Sequence, residues 1–158
     1  MKQLIVLILS LLTTIGASAQ ATHNIGIELL GSNAIRYDSR FSGSNGFGFS
    51  AGLGYGYSNS SGVSGRVVTN QILVPVEINY LFFKSNHHLV LGAGCAMGVA
   101  FTRNESISGP QKSVYPGFSP FLDLAYRYQK PEGFSFSVGL KPCRGHVIWP
   151  YIGVGWSF

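Results

Sequence analysis

Residues 46–57 read GFGFSAGLGYGY. Every odd position of this stretch holds an apolar or aromatic residue, and every even position holds glycine or serine. A period of two is typical of a β-strand, whereas an amphipathic helix repeats every 3.6 residues. A soluble sheet normally carries charge on its exposed face. Large apolar side chains opposite glycine and serine instead favour a strand with lipid outside and a crowded interior.

The same alternation recurs along the rest of the chain. An alternative is that the first two segments form one long strand, which would leave seven strands. Bacterial single-chain barrels have even strand numbers, and Gly31-Ser32-Asn33 is a turn signal, so we favour eight. The predicted strands cover residues 23–31, 34–41, 46–57, 71–83, 88–101, 118–128, 134–141 and 148–158.

The beginning of the chain has the features of a cleaved signal peptide. Lys2 precedes an apolar run over residues 4–12, and Ala17-Ser18-Ala19 is a small-residue cleavage site. The run is shorter than the ~20 residues that a membrane-spanning helix needs. We therefore predict a signal peptide at residues 1–19 and one mature domain at residues 20–158.

Composition agrees with an exported membrane protein. Only 11% of the 158 residues are charged, whereas aromatic residues make up 13%. Soluble domains usually carry about 25% charged residues. The formal net charge is +5, but the cations are scattered along the chain, and a nucleic-acid partner would require them on one face.

The charges that fall inside predicted strands all lie opposite the large apolar residues. Four are acidic and four are basic, so the set is neutral. We predict a salt-bridge network that fills the barrel lumen, and a proton or ion path through it is the alternative. The residues are Glu28, Arg36, Asp38, Arg40, Glu77, Asp123, Arg127 and Lys141.

The predicted connections alternate between short and long. Residues 42–45, 84–87 and 129–133 are short links, whereas residues 58–70 and 102–117 are long and polar. In outer-membrane barrels the short turns face the periplasm and the long loops face outside. Both termini would then lie in the periplasm.

Two further patterns resemble a known family. The chain ends on Trp156-Ser157-Phe158, which resembles the terminal signature that the outer-membrane assembly machinery recognises. Residues 72–83, ILVPVEINYLFF, and 91–94, LGAG, resemble the outer-membrane protein β-barrel domain. The chain thus resembles the small eight-stranded outer-membrane β-barrels of the OmpA/OmpX-like superfamily. That resemblance implies the outer membrane of a Gram-negative bacterium, with outer-membrane lipid, lipopolysaccharide and the assembly machinery as partners.

Candidate chemistry is weaker than the fold pattern. No glycine-rich segment opens a predicted helix, so no nucleotide loop is expected. The pair His87-His88 is interpreted as a solvated turn, because neighbouring histidines point apart on a strand. The cysteines, Cys95 and Cys143, fall on non-adjacent predicted strands, which favours unpaired thiols. We expect no cofactor and no metal.

The rim of the predicted barrel offers two further possibilities. Four cations in the outer loops either bind lipopolysaccharide phosphates or form a solvated rim: Arg66, Arg103, Lys112 and Arg144. A lipid-modifying enzyme would need a histidine, a serine and an acid near one rim. The residues available are His146, Glu105, Ser106 and Ser108, but they form no compact motif.

We therefore expect a closed eight-stranded antiparallel transmembrane β-barrel that is not an enzyme. Its expected role is structural, or surface interaction through the loops at residues 58–70 and 102–117. The alternatives are a narrow channel for small solutes, a lipid-modifying enzyme and a soluble lipocalin-like barrel.

Overall fold

The computed structural model describes residues 22–30, 33–43, 45–62, 65–83, 85–106, 109–143 and 147–158. The predicted signal peptide lies outside these ranges. No helix in the described part of the chain is long and apolar enough to cross a membrane. The strands are β1 (His23–Leu29), β2 (Ala34–Arg40), β3 (Gly46–Gly62), β4 (Gly65–Phe82), β5 (His87–Ser106), β6 (Gly109–Gln129), β7 (Gly133–Cys143) and β8 (Val147–Ser157).

The eight strands form a closed ring in which consecutive strands are antiparallel. The ring closes where β1 pairs with β8, and His23 and Phe158 exchange two backbone hydrogen bonds of 3.1 and 3.0 Å there. The predicted all-β fold of eight antiparallel strands is confirmed. The split between the first two strands is also correct, because Leu30 adopts a φ of 83° and its N–H donates to Asn33 Oδ1 at 3.2 Å.

Side chains alternate between the outside and the interior of the ring. Phe47 and Leu53 on the outside of β3 are 61% and 60% exposed, whereas Gly48 and Ser50 between them are buried. Inside, a small apolar cluster joins residues of β4, β5, β6 and β8. Its members are Leu81, Val90, Ala125 and Tyr151.

The strands are steeply tilted. Asn24 pairs with Ser157 of β8 on one side. We can also step from Asn24 to its partner on β2 and on from strand to strand until β8. The last partner is then Val147, which is ten residues from Ser157. That offset is the shear of the barrel, and with eight strands it corresponds to a tilt of roughly 40°. An interior this narrow has room for side chains only.

The two connections predicted as long loops are not loops. Strand β3 continues to Gly62 and β4 begins at Gly65, while β5 continues to Ser106 and β6 begins at Gly109. Residues 58–70 and 102–117 are therefore mostly paired strand. Their polar composition did not indicate strands, because a sheet that is exposed to water keeps its backbone hydrogen bonds without an apolar face.

Pro75 lies in the middle of β4 without inserting a bulge. The register between β3 and β4 is the same on both sides of it, with Ala51 opposite Val76 and Gly54 opposite Leu73. On the other side, Pro75 pairs with Ala96 in an unbroken ladder.

Candidate functional site

All eight charged residues singled out from the sequence point into the barrel. Each is less than a tenth exposed, from 2% for Asp123 and Lys141 to 8% for Arg127. They separate into two groups along the barrel axis. We call the end with the first and last described residues the termini end and the opposite end, with Gly62, Gly65, Ser106 and Gly109, the ribbon end.

The upper cluster, nearer the ribbon end, is centred on Arg36. Its guanidinium donates to Glu28 Oε1 and to Ser50 Oγ, and to Glu77 Oε2 at 2.8 Å. Asp123 Oδ2 lies 3.9 Å from the same guanidinium. One arginine thus ties strands β1, β3 and β4 together and reaches toward β6.

Lys141 and Tyr151 complete the upper cluster. Lys141 Nζ donates to Glu28 Oε2 and lies 4.2 Å from the centre of the Tyr151 ring, a cation–π contact. The Tyr151 hydroxyl donates to the carboxylate of Asp123. The cluster therefore holds three carboxylates and two cations.

The lower cluster, nearer the termini end, is centred on Asp38. Asp38 Oδ1 accepts from Arg40 at 2.5 Å and lies 3.2 Å from Arg127 Nη1. Asn79 joins the two clusters, because its Nδ2 donates to Asp38 Oδ2 and to Glu77 Oε1, each at 3.0 Å. One carboxylate faces two cations here, so the lower cluster offsets the extra negative charge of the upper one.

Interior glycines make room for these side chains. A Cβ on Gly92 would lie 2.5 Å from Glu77 Oε1, and one on Gly48 would lie 2.3 Å from Arg40 Cζ. Such contacts are shorter than any real van der Waals separation. The glycines on the inner face therefore reflect the space that long charged side chains need in a narrow lumen.

A small cavity remains beside the two clusters. Its volume is about 30 Å³, and its lining includes Asn24, Glu28, Asp38, Arg127 and Ser135. That is room for about two water molecules. Among the described residues, four buried polar atoms near the termini end make no hydrogen bond: His23 Nε2, Arg40 Nε, Gln129 Oε1 and Arg127 Nη1, the last of which still forms an ion pair with Asp38.

Four strands extend beyond the rest of the barrel at the ribbon end. The pairing of β2 with β3 stops at Ala34–Gly54, and that of β6 with β7 stops at Phe121–Cys143. Beyond these points β3, β4, β5 and β6 pair only with one another. We call residues 55–62, 65–72, 99–106 and 109–116 the protruding sheet.

The two edges of the protruding sheet differ. Gln129 N–H donates to the backbone oxygen of Asn86, which immediately precedes β5. Because N–H groups alternate in direction along a strand, the odd-numbered ones of β6 point toward β5 and the even-numbered ones point toward its free edge. Pro110, Pro116 and Pro120 occupy three of those even positions and carry no N–H. Prolines of this kind protect an edge strand from pairing with another chain.

The edge formed by β3 has no such protection. Tyr55 N–H donates to Asn33 O at 3.0 Å, on the side of β3 where β2 lies. Beyond the end of β2, the odd-numbered N–H groups of β3 therefore point toward the free edge. The next ones belong to Tyr57, Asn59 and Ser61, and none of these residues is proline or charged.

The remaining predicted site residues lie at the two ends of the barrel. Trp156 and Phe158 are on the outer surface at the termini end, 59% and 54% exposed. Arg66, Arg103 and Lys112 are exposed on the protruding sheet. Arg144, His146 and Ser108 lie outside the described residues, as does the side chain of Ser106, whereas Glu105 forms an ion pair with Arg103 at 3.1 Å.

The interpretation of His87-His88 as a solvated turn is wrong for one of the two. Both residues belong to β5, and His88 is only 2% exposed inside the lumen, where its Nδ1 lies 3.1 Å from Phe83 O. His87 is exposed on the outside, with its Nδ1 2.5 Å from the Tyr126 hydroxyl. His88 lies inside because it shares the inner face of β5 with Val90, two residues further along the strand.

Chemically, the lumen offers buried ion pairs rather than an exposed nucleophile. The described residues include no group of three or more His, Cys, Asp or Glu side chains placed to hold a metal ion. Cys95 and Cys143 are free thiols on β5 and β7, which are not neighbours. Sequence reasoning missed Asn79 and Tyr151 as partners of the charges. The only available signal was that each shares the inner face of its strand with small or charged residues.

A comparison of the chain with models of known protein families gives no match, and neither does a comparison with curated proteins. Function must therefore be argued from the geometry of the lumen and of the protruding sheet.

Proposed function

We propose that this protein is an outer-membrane β-barrel whose lumen is closed by its own side chains and whose protruding sheet acts at the cell surface. One observation carries the proposal: the barrel is inverted relative to a soluble protein. Isoleucine, leucine, phenylalanine and tyrosine cover its outside, while eight charged residues fill its inside. In water this arrangement would leave the apolar surface exposed, whereas in a bilayer it is the favourable one.

The size of the apolar surface supports a membrane setting. Along β8, outward apolar side chains run from Ile148 to Phe158. Ten residues of strand span about 33 Å, or about 25 Å along the axis at a tilt of roughly 40°. The apolar band of outer-membrane barrels is also about 25 Å tall.

Aromatic side chains at the termini end support the same setting. Phe47 and Tyr80 pack edge to face with ring centres 4.8 Å apart, and the ring centres of Tyr80 and Phe82 are 4.6 Å apart. Trp156 and Phe158 lie at this end too, as the resemblance to small outer-membrane barrels implies for an assembly signal. Amphipathic aromatic rings favour the boundary between lipid and water.

The orientation follows from the lengths of the strands. The termini and the short turns would face the periplasm, and the protruding sheet would face the outside, as in other outer-membrane barrels. Export would use the signal peptide predicted at residues 1–19, which fits a Gram-negative cell envelope. The role is structural or a surface interaction, and the protruding sheet takes the place of the loops predicted at residues 58–70 and 102–117.

Fractionation of the cell envelope tests the location. We expect the protein in the outer-membrane fraction, with unheated samples migrating differently from heated ones on a gel because a closed barrel resists detergent. A soluble periplasmic protein without a heat-dependent change in mobility would contradict the proposal.

The packed lumen argues against the alternative of a channel. Ion pairs connect β1, β2, β4, β6 and β7 across the lumen, and the cavity beside them has room for about two water molecules. We expect no steady conductance in planar bilayers. Steady single-channel steps from the purified barrel would instead assign it a transport role.

A further inference from the structure

The outer face of the protruding sheet changes from apolar to cationic on three neighbouring strands. The change occurs at the same register position on β5 and β6 and one position further out on β4, where Val68 lies opposite Arg103. On each strand, the last apolar side chain of this face is followed by a cation at the next position on the same face, two residues further out. The successive pairs are Val68 and Arg66 on β4, Phe101 and Arg103 on β5, and Val114 and Lys112 on β6. On β3 the corresponding step leads from Tyr57 to Asn59 and brings no charge.

The register brings the three cations together. Arg103 lies directly opposite Lys112 on β6, and Arg66 lies opposite Glu105, diagonal to Arg103. Residues that face each other across strands have Cβ atoms about 5 Å apart, and like charges in that position destabilise a sheet. Glu105 is the one acid of the protruding sheet, and it neutralises only part of the set through its 3.1 Å contact with Arg103. The face therefore keeps a net charge of +2, and Lys112 has no ion-pair partner among the described residues.

The cations lie just beyond the apolar band. A step of two residues is about 6.7 Å along a strand, or about 5 Å along the axis of a barrel tilted by roughly 40°. The headgroup layer of each leaflet is about 5–7 Å deep. Arg66, Arg103 and Lys112 would thus sit at the depth of the headgroups when the apolar surface lies in the hydrocarbon.

We propose that Arg66, Arg103 and Lys112 form a binding site for the phosphate groups of an outer-leaflet glycolipid, with one phosphate bridging Arg103 and Lys112. The site rests on the proposed outer-membrane location and names a lipid partner for the protruding sheet. A phosphate monoester matches the unbalanced charge, and arginine binds phosphate through paired N–H donors. Zwitterionic headgroups fit less well, because they carry their own cation beside the phosphate.

Titration of the purified full-length mature barrel in zwitterionic micelles with bisphosphorylated lipid A tests the site. The readout is the temperature at which the folded, heat-modifiable form is lost on a gel. We expect this temperature to rise with bisphosphorylated lipid A and to stay unchanged with enzymatically dephosphorylated lipid A. Arg103→Gln and Lys112→Gln should each weaken the apparent affinity about five-fold, and the double variant about 25-fold. Lys130→Gln removes an exposed cation at the termini end and should bind like the wild type.

Three outcomes would overturn the phosphate site while leaving the barrel intact: equal stabilisation by dephosphorylated lipid A, wild-type affinity in the double variant, or saturation of the effect by inorganic phosphate alone. The last would assign a site for free phosphate. A chain without a heat-modifiable form in lipid-free micelles would overturn the proposed membrane barrel itself, and the lipid site with it.

Discussion

The hydroxyl of Tyr151 donates to the carboxylate of Asp123, 3.0 Å from each of its oxygens, and both side chains are 2% exposed. A buried carboxylate needs hydrogen bonds to replace those it made to water. Tyr151 supplies them from β8, while Arg36 approaches the same carboxylate to 3.9 Å from β2. The network in the lumen thus includes an uncharged side chain, Tyr151, whereas the sequence pattern predicted charged residues alone.

Tyr151→Phe should destabilise the barrel without preventing its insertion. The variant keeps the ring under Lys141 Nζ but removes the hydrogen bond to a charged acceptor, a loss of about 1.5–3 kcal/mol. Urea unfolding from micelles, followed by the change in gel mobility, measures the difference. Tyr115→Phe, on the exposed protruding sheet, is the control and should unfold like the wild type.

Glu28→Gln should cost about 3–5 kcal/mol, because it leaves Arg36 and Lys141 short of a buried anion. Adding Lys141→Met should restore part of that loss, since one of the two uncompensated cations is then gone. A double-mutant cycle on the free energy of unfolding checks the coupling. Additive effects of the two substitutions would mean that the ion pair between Glu28 and Lys141 contributes nothing.

Leu53→Arg should block membrane insertion. Leu53 lies near the middle of the outer apolar surface, and an arginine there costs about 2–4 kcal/mol in a bilayer. Asn59→Arg, on the same face of the same strand but beyond the apolar band, is the matched control and should insert normally. Folding yield into lipid vesicles measures both, and equal yields would contradict the assignment of the outer face to lipid.

Gly92→Ala should lower stability by forcing Glu77 away from its position, because the added Cβ would lie 2.5 Å from Glu77 Oε1. Asn79 and Arg36 would then lose an acceptor. Gly117→Ala is the matched change on β6, where the nearest atom is 3.9 Å away, and should be neutral. Thermal loss of the heat-modifiable form compares the two variants, and equal midpoints would mean that the lumen has spare volume.

Replacing Pro110, Pro116 and Pro120 together by serine should promote association of barrels in micelles. The substitutions return three N–H donors to the free edge of β6, which can then pair with an edge of another molecule. Chemical cross-linking at increasing protein concentration measures the association. Pro131→Ser, in a turn at the termini end, should leave the protein as monodisperse as the wild type.

The number of strands and the direction of their faces could be predicted from the sequence because strands with an apolar outer face and a crowded inner face show a strict period of two. The period is lost where the apolar outer face ends. Residues 58–62 read SNSSG and 109–113 read GPQKS, yet both are strand. In water either face of a sheet tolerates serine, asparagine and glutamine, so alternation disappears while the backbone ladder continues. The predicted polar loops are the result.

The partners within the lumen could not be predicted for a different reason. The inner face identified Glu28, Arg36 and Lys141 as candidates, but which of them meet depends on the register of every strand between them. Asn79 and Tyr151 carry no formal charge, and only their positions in the folded barrel reveal that Asn79 joins two carboxylates and that Tyr151 donates to a third.

The pairing of β1 with β8 also governs the order in which the barrel can fold. Glu28 meets Lys141 across 113 residues of sequence, and His23 meets Phe158 at the two ends of the described chain. Contacts of such long range are costly in chain entropy and form late. The network in the lumen therefore becomes complete only when β8 docks, because Tyr151 belongs to this strand and because pairing with β8 fixes β1, which carries Glu28, beside the rest of the ring. The pairing of β1 with β8 is then the last step of folding, and it completes both the ring of strands and the contacts inside it.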